Sequence, residues 1–185
     1  YLVPSNLFAV VILRKLRKLF KDVIPDPEFS QECRELASEI KRGVDIYATV
    51  DHPKYGKIYA CETDGFGNHR LFDDANVPSL LSLPYLGYCE ADSEIYANTR
   101  RFILSKDNPY YFEGKCGKGI GSPHTGDNKV WHIALSMQGL TSVDEKEMLE
   151  VLDMLVATDG DMGYMHESFD VDDHHKFSRA WFAWS

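Results

Sequence analysis

No stretch of the 185 residues stays apolar long enough to span a bilayer. The longest run, residues 7–13, stops at Arg14-Lys15, far short of the ~18–20 residues a membrane helix needs. The four cysteines (Cys33, Cys61, Cys89 and Cys116) stand far apart with no Cys-x-x-Cys pair, which argues against a zinc ribbon or a dithiol redox motif and leaves the redox compartment open. Asn-x-Ser/Thr sequons are absent, which points away from a glycosylated secretory product. Cations are in deficit and form no long stripe: Lys+Arg 20 against Asp+Glu 29 gives a formal charge of -9, so nucleic acid is not an expected partner. Gly-x-Ser-x-Gly is missing and no cysteine has an activating neighbour, which leaves nucleophilic catalysis unsupported. What is present, 44% apolar and 26% charged residues, is the composition of a globular domain rather than a disordered chain.

Hydrophobic spacing predicts a mainly helical chain. A first helix is expected over 6–21, capped by Ser5 or Asn6, with Phe8, Ile12, Leu16 and Leu19 inward and cations gathered toward its negative C-terminal end. Asp26-Pro27 starts a second, with Phe29, Cys33, Leu36 and Ile40 on its apolar face and Gly43 as its stop. Short strands are expected over 45–49 and 57–62, then a turn-rich loop at 64–68. Further helices are expected over 77–83, 92–105, 131–140 and 143–157. The last of these opens on the capping box Ser142-Val143-Asp144-Glu145 and buries Met148, Val151, Leu152 and Leu155. A strand at 110–112, a glycine-rich loop at 115–128 and a loop at 158–175 separate them, and an aromatic helix begins near Lys176. Helices alternating with long loops, without parallel βαβ units, suit antiparallel helix pairs in a toroid whose site is built from loops at one end. The start at Tyr1 and the uncapped aromatic end at Ser185 read as cuts through a larger domain.

Three clusters carry possible chemistry. The 158–175 loop interleaves Asp159, Asp161, Glu167, Asp170, Asp172 and Asp173 with His166, His174 and His175, the setting in which a carboxyl takes up general acid/base work. Metal binding competes there, but the spacing fits neither an EF-hand nor His-Glu-x-x-His. A solvated acidic loop is the plain alternative. The 73–81 segment offers Asp74 and Asn76 either as helix caps or as partners for sugar hydroxyls. The 117–125 segment superficially resembles a phosphate loop but lacks Gly-Lys-Ser/Thr. Its glycines suit close backbone approach to a ligand, with His124 and Trp131 as contacts.

These motifs together resemble glycoside hydrolase family 125. The resemblance rests on Tyr1-Leu2-Val3-Pro4-Ser5-Asn6, residues 52–60 (His-Pro-Lys-Tyr-Gly-Lys-Ile-Tyr-Ala), residues 74–81 (Asp-Ala-Asn-Val-Pro-Ser-Leu-Leu), Gly119-Ile120-Gly121-Ser122-Pro123-His124, Trp131-His132-Ile133-Ala134-Leu135, Met165-His166-Glu167-Ser168-Phe169-Asp170 and Arg179-Ala180-Trp181-Phe182-Ala183-Trp184. It covers residues 1–185 in order and implies an all-α (α/α)6 barrel, here its C-terminal half with a small β-hairpin element. The implied activity is that of a metal-independent, exo-acting, inverting α-1,6-mannosidase that needs no cofactor. A mannose-containing oligosaccharide or glycan is its implied partner, with neither nucleic acid nor membrane.

On the resemblance, Glu167 is the general base. The family's general acid lies in an Arg-Pro-Ser-Asp-Asp-Ala stretch that would precede Tyr1, so the segment alone is expected to be inactive and prone to associate. His52, Asp64, Asp74, Asn76, His124 and Trp131 are the expected sugar contacts. The alternatives are a catalytically silent sugar-binding or structural toroid, and a metal-dependent hydrolase using the Asp/His-rich loop. The cytoplasm is favoured over secretion, which the expected missing N-terminus leaves open.

Overall fold

The computed structural model describes residues 1–185. Its helices are α1 (Val3–Asp22), α2 (Pro27–Tyr47), α3 (Leu83–Leu86), α4 (Glu94–Ile103), α5 (His132–Leu140) and α6 (Glu145–Ala157). Between and after them run β1 (Thr49–His52), β2 (Gly56–Tyr59), β3 (Glu62–Thr63), β4 (His69–Arg70), β5 (Tyr111–Glu113), β6 (Lys118–Ile120), β7 (Lys129–Val130), β8 (Ser168–Asp170) and β9 (Asp173–Ser178). The strands form antiparallel pairs β1-β2, β3-β4 and β5-β6 and one three-stranded sheet β7-β8-β9. The chain is therefore helical with small antiparallel sheets, more of them than the single hairpin expected. No helix is long and apolar enough to cross a membrane.

α1 and α2 pack as an antiparallel pair. α1 buries Val3, Leu7, Val10 and Val11 rather than the stripe through Phe8 and Leu16, and Ile12 and Leu19 remain 38% and 37% exposed. Residues 7–13 are apolar all round, so periodicity alone cannot choose between the two stripes. The helix also starts earlier than expected, at Val3, and Asn6 lies inside it with Nδ2 donating to Leu2 O at 2.8 Å. Asp26 caps α2 as its sequence predicts, accepting from Phe29 N at 3.0 Å. α2 runs through Gly43 to Tyr47, which absorbs part of the strand expected at 45–49. A glycine stops a helix only when it turns left-handed, and Gly43 does not.

α3 begins only at Leu83, the last residue of the helix expected over 77–83, with Pro84 in its first turn and Gly87 (φ 84°) as the left-handed cap that ends it. Asp144, not Ser142, caps α6, by accepting from Lys146 N at 2.9 Å, while the Ser142 hydroxyl turns to Glu147. α6 buries Val151, whereas Met148 and Leu152 are exposed. The aromatic helix expected from Lys176 is the strand β9 followed by irregular chain. Phe177 pairs with Phe169 in the register of the sheet and its ring stacks on His166 at 3.9 Å, which together override the helical spacing of Phe177, Ala180, Trp181 and Trp184. Trp181 and Trp184, expected inside on that helix, are 73% and 72% exposed, and the buried aromatic at that end is Phe182.

One core joins α1, the β1-β2 hairpin, α4 and the loops around Leu80 and Trp131. A second, of Val130, Leu135, Val151, Phe169 and Val171, lies under the three-stranded sheet. At the first, Tyr96 is fully buried and donates to Leu81 O at 2.8 Å. Asp73 is fully buried as well. Its two oxygens accept from Leu80 N at 2.8 Å and Leu81 N at 3.0 Å, which folds the 73–81 segment into a closed turn. Asp73→Ala is expected to destabilise the protein by about 1–3 kcal/mol for each amide it orphans, with the fold retained; urea unfolding monitored by circular dichroism measures this.

Candidate active site

Glu167 immediately precedes β8, and the register of the sheet decides its neighbours. β8 pairs with β9 so that Ser168 faces Ser178, which sets Glu167 opposite Arg179. Glu167 N donates to Ser178 O at 3.1 Å. The Ser178 hydroxyl donates to Glu167 Oε2 at 2.9 Å and lies 2.7 Å from the Ser168 hydroxyl. Arg179 Nε stands 3.5 Å from Glu167 Oε1, and its own backbone is left-handed at φ 47°, an uncommon conformation for a bulky residue. Glu167 as a residue is 9% exposed, and its carboxylate is held from one side by donors, with lone pairs left over for a water.

The main chain under Glu167 is fixed by a buried imidazole. His132, the first residue of α5, is fully buried, and its Nδ1 accepts from His166 N at 2.8 Å. The ring proton therefore rests on Nε2, which meets Thr158 Oγ1 at 2.9 Å, and that hydroxyl donates onward to Met154 O at 2.7 Å. His166 O also approaches Nδ1 at 3.1 Å, a contact the N–H bond leaves without a proton. Burial pushes the His132 imidazolium down to about 4, which keeps the ring neutral and able to accept. His166 in turn spans two segments, with Nδ1 2.5 Å from Ala180 O and Nε2 2.9 Å from Asp159 O, and stacks on Phe177 at 3.9 Å.

The other expected residues fall into two groups. Trp131 is the N-cap residue of α5. β7 ends next to it while β8 begins next to Glu167, so one sheet end carries both. The indole is buried, donates to Thr125 Oγ1 at 2.8 Å and meets Phe182 edge-on at 5.8 Å; Phe182 in turn lies 5.7 Å under the Arg179 guanidinium. His124 is exposed on the adjoining turn, where its amide donates to Ser122 Oγ at 3.2 Å. The 73–81 segment joins through Ala75 N, which donates to Gly121 O at 3.1 Å. Asp74 and Asn76 stand half-buried there, linked by Asn76 N to Asp74 Oδ1 at 3.2 Å.

Gly121 serves this junction rather than a ligand: a Cβ on it would sit 2.1 Å from Lys129 O and 2.8 Å from the Phe112 ring. Asp74, Asn76, His124, Trp131 and Glu167 therefore lie on segments in mutual contact. His52 and Asp64 do not join them. His52 sits on the β1-β2 hairpin, its Nδ1 accepting from Lys54 N at 3.1 Å, beside Tyr55 and Phe102. Asp64 closes its own turn by accepting from Phe66 N at 2.7 Å and Asn68 Nδ2 at 2.6 Å. It borders an apolar cleft of about 360 Å³ beside Tyr1, Val44 and Tyr47 that shares no lining residue with the Glu167 loops.

Sequence reasoning passed over Ser178, Arg179, His132 and Thr158 as working parts. The Arg179 and His132 positions lay within quoted motifs, but nothing local to them signals which residue they meet. No three His, Cys, Asp or Glu side chains converge on a common point to hold a metal, the Asp/His-rich loop included.

Comparison with known proteins places this arrangement. A chain from Streptococcus pneumoniae, solved in a non-productive substrate complex with α-1,6-mannobiose and described as one of the metal-independent α-mannosidases, is 49% identical. It superposes with a TM-score of 0.96 over 100% of this chain and 44% of its own. A bacterial glucoamylase bound to acarbose superposes with a TM-score of 0.72 at 14% identity, over 94% of this chain and 30% of its own, and shows the fold alone. The fold is thus one that known glycoside hydrolases use. The family model of the metal-independent α-mannosidases matches residues 1–185, and the chain belongs to glycoside hydrolase family 125. The meiotically up-regulated gene 157 protein of Schizosaccharomyces pombe is 45% identical over 186 residues, which span all of this chain and 36% of that protein. The chain therefore spans less than half the length of the relatives it matches.

The buried imidazole carries a pH signature. The folded chain resists protonating His132 until about pH 4, whereas an unfolded chain takes that proton near 6.5. The His132 contribution to stability is therefore fully present above about pH 6.5 and is lost as pH falls toward 4. Asp73, whose carboxyl burial pushes up to about 7 from 3.8, gives the opposite slope between those values. Urea unfolding from pH 4 to 7 should show the two slopes largely offsetting each other in the native sequence, and His132→Asn should expose the Asp73 slope alone, with stability rising as pH falls.

Proposed function

We propose that this segment supplies the C-terminal loops of an exo-acting α-1,6-mannosidase that inverts the anomeric centre, within an (α/α)6 barrel completed by the rest of the protein. Glu167 is the general base in this reading. The observation that carries it is the Glu167 carboxylate, nearly buried yet with acceptor capacity to spare, at the sheet end that also presents Trp131. Inversion requires a base that activates water on one face of the sugar and an acid on the other, with the two carboxyl groups roughly 6.5–9.5 Å apart. Glu167 serves the water side, and the acid comes from the stretch expected before Tyr1. Asp74, Asn76 and His124 contribute partners for mannose hydroxyls and Trp131 an apolar wall, while His52 and Asp64 stand on other segments, the β1-β2 hairpin and the 64–68 turn. The likeness to a chain solved with α-1,6-mannobiose supports a mannose-containing ligand.

The chemistry asked of Glu167 is proton acceptance from water in the transition state, which is worth about 10²–10⁴ in rate. In the full-length protein, Glu167→Gln should lower kcat on an α-1,6-mannobioside by that factor while leaving KM nearly unchanged. Unaltered turnover would remove the base assignment, and absence of turnover in the native full-length protein would favour a silent sugar-binding role. Proton NMR of the first product formed should show β-mannose, the inverted anomer, and α-mannose in its place would contradict inversion. Activity should persist in excess chelator, and loss there would reinstate a metal-dependent hydrolase. The 185-residue segment by itself should release no mannose.

A further inference from the structure

On the α1-α2 pair, charges are sorted rather than mixed. Arg14, Arg17 and Lys21 recur at helical spacing on α1, and Arg34, Lys41 and Arg42 follow one side of α2, whereas Glu28, Glu32, Glu35 and Glu39 take another side of α2. A helix that is merely solvated gains from opposite charges four residues apart. Here Arg14 and Lys18, Arg17 and Lys21, Glu28 and Glu32, and Glu35 and Glu39 set like charges at that spacing, each pair unfavourable.

The two cationic rows face each other across a groove of about 240 Å³, lined by Arg14, Arg17, Arg34, Lys41 and Arg42 above the small buried side chain of Ala37. Asp45 is the one carboxylate in the lining, and it is taken by Lys41 at 2.5 Å. None of the four arginines has an ion-pair partner; Arg14 has only the Tyr88 ring, at 6.0 Å. Glu35 and Glu39 border Arg34 and Arg42 on the outer side without pairing with them.

We propose that this groove binds a phosphoryl group, either as a free phosphate anion or carried on a sugar. A chain of net charge -9 repels anions over most of its surface, so this converging positive charge is a local feature and not a general one. Planar guanidinium forks pair with the oxygens of phosphate two at a time, which lysine cannot do. The groove exceeds by several times the ~30 Å³ that a water occupies in the liquid, so a multi-atom oxyanion enters it without rearrangement. An anion there relieves the mutual repulsion of the arginines, which gives the like-charge spacing of the helices a physical reason. The proposal does not depend on the role of Glu167, since none of these residues belongs to the loops around it.

Isothermal titration of the full-length protein at low ionic strength tests it, with inorganic pyrophosphate, a hexose 6-phosphate and unphosphorylated mannose as probes. Saturable binding of either phosphate is expected, weakening as salt is raised. Arg34→Gln with Arg42→Gln should lower the affinity by about tenfold or more, as should Arg14→Gln with Arg17→Gln on the facing helix, with hydrolysis of an α-1,6-mannobioside unchanged. Response to pyrophosphate alone assigns the groove to free phosphate, and response to the hexose phosphate as well assigns it to a phosphorylated sugar. Absence of saturable binding by both overturns the proposal, as does native affinity in either folded double variant. Circular dichroism identifies a variant that fails to fold, in which case the pair on the other helix decides.

Discussion

The hydrogen bond from the His166 amide to the His132 imidazole is the constraint on which the candidate site depends. It crosses from the first turn of α5 to the residue before Glu167, two stretches more than thirty positions apart in sequence. It holds only while the imidazole is neutral, because an imidazolium has no lone pair to offer. Burial supplies that neutrality, and Thr158, by standing on the other ring nitrogen, fixes the tautomer. Removing the ring would leave a buried amide without a partner and free the strand that carries the carboxylate, so packing and proton placement act here as one interaction.

Much of the helical framework is legible in the sequence because its signals are local. Asp26-Pro27 caps and opens α2 within two residues, and α4 (Glu94–Ile103) falls within the helix expected over 92–105. Reading fails where two local answers are equally good or where the answer lies elsewhere in the chain. The apolar stripe of α1 is ambiguous because residues 7–13 are apolar on every side. Ser142 could cap α6, but Asp144 is nearer the amide that needs a partner and Glu147 draws the serine away. The strand β9 escapes notice because Phe177, Trp181 and Trp184 also fit a helix, and what holds Phe177 in the sheet, its pairing with Phe169 and its stacking on His166, lies earlier in the chain.

The candidate site divides in the same way. Glu167, Trp131 and the Asp74-Asn76 segment stand out in sequence because their residue types and motifs are distinctive. Ser178 and Arg179, which touch the carboxylate, do not, since their position depends on the register of β8 against β9. The glycine-rich stretch suggests a backbone pressed against a ligand, and the close approach is real at Gly121, but what it meets is Lys129 O of its own chain. That contact brings the 73–81 segment, the 117–125 turn and Trp131 together, so the glycine acts on the site by joining its walls.

A division of stiffness follows from these contacts. Behind Glu167 lie fully buried groups whose hydrogen bonds are all made inside the chain: His132, Thr158 and His166. Elsewhere on the same stretch of chain, Tyr164, Trp181 and Trp184 are largely exposed. A base that acts through a water, without forming a bond to the sugar, depends on its fixed position relative to that water, because no covalent intermediate corrects a misplacement. The buried hydrogen bonds of His132, Thr158 and His166, together with the Ser178 hydroxyl on Glu167 itself, match what the proposed reaction asks: a carboxylate that does not move.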